Sequence, residues 1–449
     1  MTPRSANLVA ILLAMFFALT GSFATTGASA LPAFARQTSL PCSACHVGSF
    51  GPQLTQTGRT FKLFGYTMGQ TKHLWDNYAG MVLGGLEHTN KSQAEAPTAH
   101  AKTNDNVTVD QVSLFYGGRV APDTGLFMQV TYSPNDRTLA WDNTELRYAN
   151  ATTLAGKGLV YGVTANNNPT LQDLWQTTPA WVFPYATSEL APSPGADAYL
   201  AGLGGQVIGV GAYAMWNDLL YVEYSQYSAL SDKLQTRLGE GDVSANDHLK
   251  GSASYWRTAL QRTYGSSYLE VGAYGFDADR YPGNLHEFGA DHIVDTAIDG
   301  TYQFSSQDGK HIVSAYLSTL HEHQELMATF AAGASLNPAD SLDVTRFNLS
   351  YNYDSTYGVT LGRFISKGSE DATLYGNPSG KPDSSATITQ FDVTPFGKDG
   401  SPGSPYLNIR LFVQYTAYDK FDGAAKNYDG LGRNASDNNT LFIGTWFAY

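Results

Sequence analysis

The chain is poor in cysteine, in charge and in basic residues. Only two cysteines occur in 449 residues, so no disulfide framework shapes this fold. Charged residues make up 15% of the chain, and 40 acidic against 27 basic residues give a net charge of −13. That sign argues against nucleic acid, whose phosphates need clustered Lys and Arg. Beyond residue 30 no apolar run reaches the roughly 20 residues that a transmembrane helix needs.

Residues 1–30 read as a secretory signal. Arg4 gives a short positive region, Leu8 to Leu19 an apolar core, and Ala28-Ser29-Ala30 a small-residue cleavage site, so the mature chain is expected to start at Leu31.

What is abundant is aromatic residues and glycine: 28 Tyr, 22 Phe, 7 Trp and 45 Gly. They sit in segments that alternate with period two. In YLNIRLFVQYT, Leu407, Ile409, Leu411, Val413 and Tyr415 would face lipid, and Asn408, Arg410, Gln414 and Thr416 the lumen. In DVTRFNLSYNYD, Phe347, Leu349, Tyr351 and Tyr353 alternate with Arg346, Asn348, Ser350 and Asn352. The final LFIGTWFAY puts Leu441, Ile443, Phe447 and Tyr449 on one face, as in a closing barrel strand. A helix would bury none of these patterns on one side.

About sixteen such segments run from 78–88 to 439–449, joined alternately by short and longer connections. These features predict an all-β fold, an antiparallel transmembrane β-barrel of the outer membrane with about sixteen strands. An even count puts the N- and C-termini on the periplasmic side. A soluble β-sandwich or propeller is the alternative, but no repeat of blade length is present.

Both cysteines lie in PCSACHVG, residues 41–48. Cys42-x-x-Cys45-His46 is the attachment signature of a c-type haem: two thiols form thioethers and His46 reaches the iron as proximal ligand. A disulfide here would close a tiny loop and stabilise little. A thioredoxin-like pair lacks its βαβ setting, and a zinc site lacks a second Cys/His pair nearby. Met68 and His73 are the first candidates for the distal iron ligand, with Met81 further on; Met with His raises the reduction potential and bis-His generally lowers it. Residues 31–76 are too few to bury a haem in a core of their own. They suit a plug in the lumen of a barrel spanning 77–449.

The stretch LPAFARQTSLPCSACHVGSFGPQLTQTGRTFKLFGYT, residues 31–67, resembles the outer-membrane monohaem cytochrome c–porin fusion family of iron-oxidising bacteria, the fused cytochrome-porin iron oxidases. Phe34-Ala35-Arg36-Gln37-Thr38 precedes the haem motif at the family's distance; Pro52, Leu54, Gly58-Arg59, Phe61-Lys62 and Gly65-Tyr66 follow in its spacing. The resemblance implies one covalently attached haem c on Cys42, Cys45 and His46. It also implies electron transfer from extracellular Fe(II) to a periplasmic cytochrome c or similar carrier. No Fe(II)-binding residues carry over with it. A different extracellular donor or acceptor is one alternative function, and a diffusion porin with a structural or sensory haem segment is another.

Two further groups are candidates. His321 and His323, with Glu322 and Glu325, could form an Fe(II) encounter site near an outer rim, against the plainer reading of a solvated rim; Asp277 and Asp279 stand in the same position. Trp175, Trp181, Phe183 and Tyr185 lie in the longest connection, where loop packing is weighed against electron hopping.

Overall fold

The computed structural model describes residues 32–449 except 242 and 245. The signal-peptide expectation lies outside the described residues. Sixteen antiparallel strands form one closed barrel, each paired with its sequence neighbours and the first with the last. They are β1 Tyr78–Thr89, β2 Asn106–Ala121, β3 Thr124–Ser133, β4 Thr138–Leu154, β5 Lys157–Asn166, β6 Val207–Trp216, β7 Leu220–Ala229 and β8 His248–Tyr264. The series continues with β9 Ser267–Tyr281, β10 Asp291–Ser305, β11 His311–Glu325, β12 Ala339–Tyr353, β13 Tyr357–Gly368, β14 Ser384–Val393, β15 Asn408–Lys420 and β16 Thr440–Ala448. Closure leaves no unpaired edge strand, as a lipid environment demands.

Alternation decides which way each side chain points. On β12, Phe347, Leu349, Tyr351 and Tyr353 are exposed on the outer wall, whereas Asn348, Ser350 and Asn352 are buried in the lumen. The outward rows are those of a membrane-embedded barrel. The expected pattern lapses at the start of β15. Leu407 precedes the strand, and Ile409 is buried together with Asn408 and Arg410. This is where the connection 394–407 enters, the long exception on the rim that otherwise carries short turns such as 122–123 and 265–266.

That exception has a structural role. Among the described residues three short α-helices precede the barrel: α1 Pro32–Thr38, α2 Cys42–Cys45 and α3 Gln56–Leu63. Ser43 N donates to Gly397 O at 3.1 Å, so the 394–407 connection holds the helical segment at this rim. The segment is tied around the inner wall. Gln37 Nε2 donates to Gly117 O of β2 at 2.8 Å. Tyr66 OH donates to Glu145 of β4 at 2.5 Å, and Tyr213 OH of β6 donates to Leu63 O at 2.7 Å. Arg59 Nη1 donates to Gln303 Oε1 of β10 at 2.9 Å, and Asn408 Nδ2 of β15 donates to Ser49 O at 2.8 Å. Contacts with walls this far apart place residues 32–66 inside the barrel as a plug.

The rest of the lumen is filled from the opposite rim. The connection 167–206 between β5 and β6 turns inward, and Leu171, Leu174 and Trp175 are fully buried in it. Asp173 accepts from the backbone N–H groups of Trp175, Thr177 and Thr178. Arg257 of β8, itself buried, meets Asp299 at 2.5 Å, Glu270 at 3.3 Å and Asp173 at 3.6 Å. Burying such a guanidinium is tolerable only because carboxylates surround it.

Candidate functional site

The plug is built around the Cys-x-x-Cys turn. Pro41 precedes α2 in extended geometry, and His46 N donates to Cys42 O at 2.8 Å, which closes one helical turn. The chain then doubles back: His46 pairs with Leu54, and Thr55 N donates to Cys45 O at 2.9 Å. Thr55 caps α3 by accepting from Gly58 N. Gly58 is required here, since a Cβ on it would lie 2.2 Å from Cys45 O. Without a side chain at 58, α3 rests directly on α2 and fixes the attitude of the motif.

Cys42, Cys45 and His46 all line one cavity of about 430 Å³ inside the barrel. Its walls come from both plug and barrel and are largely apolar: Phe61, Phe115, Phe127, Trp181, Tyr185 and Trp446 are among them. Lys62 and Asp142 are the only Lys, Arg, Asp or Glu side chains that line it among the described residues. Lys62 Nζ donates to Leu171 O at 2.6 Å and lies 4.6 Å from the Trp181 ring centre, so it is already engaged by the inward connection. Burial pushes its ammonium down to about 8, although Glu145 opposes the shift.

These features test whether a haem c fits. The volume lies in the ~300–1,000 Å³ range of cofactor pockets. Burial pushes the Cys42 thiol up to about 12 and the Cys45 thiol up to about 11. Thiols held neutral in this way are the reverse of a thioredoxin-like pair, which needs a stabilised thiolate. The two cysteines form no disulfide. No group of three or more His, Cys, Asp or Glu side chains converges to hold a metal among the described residues, so a zinc site has no ligand set. Burial pushes His46 down to about 4, which keeps it in the neutral form that ligates metal. The residue is half-buried, with Nδ1 sealed from solvent and without a hydrogen-bond partner. The buried indole N–H of Trp446 has no acceptor, and a carboxylate substituent on a bound molecule would supply one. The residues present therefore fit the group.

The other sequence candidates fall differently. Met68 and His73 are exposed and line no part of the cavity; His73 instead stacks on Trp75 at 5.4 Å. The reason is the path of the chain, which leaves the lumen along residues 67–77 on its way to β1. Met81, on β1 itself, is buried and lines the cavity. His321 and His323 share one face of β11, as expected, but it is the outer face. His321 meets Asp343 at 2.8 Å across that face, while the intervening Glu322 points inward and is buried. Asp279 likewise pairs with His292 at 3.0 Å and Lys250 at 3.2 Å on the outer wall. Trp181 and Tyr185 line the cavity, Phe183 packs on the wall at Gly362, and Trp175 is locked in the lumen with Nε1 donating to Tyr268 OH at 2.6 Å. Sequence reasoning missed the ionic groups that hold this arrangement, chiefly Glu145, Arg147, Arg257 and Asp299. Their signal is a charged residue at an inward position of a strand.

No family model matches the sequence, and no curated protein matches it. Among solved structures the chain is similar to the outer membrane channel DcaP of Acinetobacter baumannii, at 13% identity over 83% of this chain and 96% of that one, with a TM-score of 0.44. It is similar to an anion-selective porin from Comamonas acidovorans at 11% identity, over 83% and 98% of the two chains, with a TM-score of 0.44. For outer-membrane expressed OmpT of Vibrio cholerae the values are 11%, 83%, 97% and 0.39. Likeness at this level says nothing about ligands. The porin-type architecture of this chain rests on its own strand pairing, in which sixteen strands close without an edge.

Proposed function

We propose that this chain carries single electrons across the outer membrane through one haem c held in the barrel lumen, taking them from extracellular Fe(II) and passing them to a periplasmic carrier such as a cytochrome c. The observation that supports this most is the placement of Cys42, Cys45 and His46 on a largely apolar cavity inside the barrel. When bound there, the haem supplies a reversible one-electron couple. The chain's own residues do the rest. Cys42 and Cys45 tether the group and His46 orients it. Gly58 fixes the turn that carries all three. The aromatic walls exclude water, which sets both potential and selectivity.

The proposed orientation takes the general rule for outer-membrane barrels. The termini and the short turns share one rim, which is the periplasmic side in outer-membrane barrels, and the longer connections face outward. A periplasmic carrier would then dock at the rim holding the plug. The resemblance of residues 31–67 to cytochrome–porin fusions supports Fe(II) as donor, with another extracellular donor or acceptor as the alternative.

The porin-type fold taken alone favours another reading, a diffusion channel with a structural haem segment. The first part of the connection, 167–178, weighs against it, because it is buried inside the lumen where a solute would cross. One experiment separates the two. Haem-loaded protein is mixed anaerobically with Fe(II), and the same preparation is tested for solute flux in liposomes. A reduced c-type spectrum within seconds and no sugar flux are expected; rapid flux with a haem inert to Fe(II) would overturn the electron-transfer reading.

A further inference from the structure

We propose that the Met81 thioether, from the barrel wall, is the distal iron ligand opposite His46. This inference rests on the haem reading above. A group tethered at Cys42 and Cys45 has to occupy the cavity those residues line, so a distal side-chain ligand must line the same cavity. Among the described lining residues there is one thioether, Met81, and no imidazole besides His46. The remaining candidates are already committed. Lys62 Nζ donates to Leu171 O at 2.6 Å, and Tyr66 OH donates to Glu145 at 2.5 Å. Burial pushes the Tyr66 and Tyr185 phenols above their ordinary range, against the phenolate that a haem iron takes.

Strand register places Met81 independently. Asn408 Nδ2 touches Cys42 Sγ at 3.0 Å. Asn408 on β15 pairs directly with Ala448 on β16, and Ala448 pairs directly with Met81 on β1. All three are buried and belong to the inward rows of their strands. Met81 therefore stands level with the wall residue that touches the first attachment cysteine. It is two strand spacings away, about 10 Å around the barrel at ~4.7–4.9 Å per strand. That separation is comparable to the width of a porphyrin. Met81 also packs with Ala33, Ala79 and Phe115, and its unbranched, flexible side chain can repack toward a neighbouring metal.

Such ligation would bolt the plug to β1, with the iron between a plug imidazole and a barrel thioether. It would also raise the potential relative to a bis-His haem, which suits a donor as weakly reducing as Fe(II).

The test is spectroscopic and does not depend on turnover. Full-length, haem-loaded protein is oxidised and examined by absorption and near-infrared magnetic circular dichroism. The wild type is expected to show the weak far-red thioether-to-iron band. Met81→Leu should keep one haem per chain and a folded barrel by heat-modifiable gel migration, yet lose that band and drop in potential. Met68→Leu and His73→Ala should keep it. A band that survives in Met81→Leu would overturn the proposal. So would a wild-type spectrum of bis-imidazole, imidazole–amine or five-coordinate haem, even if Met81→Leu failed to fold. A wild type that holds no haem would overturn this proposal and the proposed function together. A normal band with no reduction by Fe(II) would sink the donor assignment and leave Met81 standing.

Discussion

Around Arg257 the lumen is solid and ionic, whereas around His46 it is hollow and apolar. In the first region one guanidinium meets Asp173, Glu270 and Asp299, and Trp175 packs beside it with its ring centre 5.0 Å away. No space is left. In the second region a cavity of about 430 Å³ opens among Phe, Trp and Tyr side chains. A barrel that conducts solutes needs the reverse arrangement, a continuous and polar passage. Here the polar wall groups are spent on anchoring protein inside the barrel, and the free volume is reserved for something apolar. The contrast fits the two jobs of the proposed function: the ionic region would anchor protein in the lumen and the hollow region would receive the cofactor.

The largest effect should come from the hollow side. Replacing both attachment residues, Cys42→Ser with Cys45→Ser, is expected to abolish covalent haem entirely, seen as loss of haem staining on denaturing gels, while the barrel still forms. Retained covalent haem would contradict the reading of the motif. Next comes the ionic side. Arg257→Leu leaves Asp173, Glu270 and Asp299 buried without their counter-charge. Such uncompensated burial costs about 3–5 kcal/mol. Denaturant unfolding in detergent should show that loss, and planar-bilayer recordings should show new conductance as the 167–206 connection loosens. A silent, fully stable variant would mean that the seal does not depend on this cluster. The smallest effect should lie outside both regions. His321→Ala with His323→Ala removes an exposed outer-wall pair of the kind worth ~0–1 kcal/mol. The rate of haem reduction by Fe(II) should stay within about threefold, the span of an ordinary surface substitution. A larger drop would return these histidines to the route of the donor.

Much of this was readable in one dimension. All sixteen expected segments fall on strands, because period-two alternation is a local property and closure against lipid leaves few other uses for it. That Cys42, Cys45 and His46 share one cavity was equally legible, since the three lie within five residues of one another. His321 and His323 show where local reading stops. Their common face was evident from spacing, but whether it looked into the lumen depended on the parity of β11 against its neighbours. A shift of one residue reverses the answer. Glu322, grouped with them in the sequence, is the one that points inward.

By itself the sequence determined the strands, their alternation and the Cys42–His46 signature, all of which depend on residues a few positions apart. Only the tertiary structure decided what shares the cavity. Met68 and His73, near the motif in sequence, were carried out of the lumen, while Met81, Trp181 and Trp446 were brought in. Closing the barrel pairs β16 with β1 and so sets Ala448 beside Met81, residues separated by nearly the whole chain. Lumen contacts are set by strand register and by the inward fold of a connection, and neither leaves a local trace.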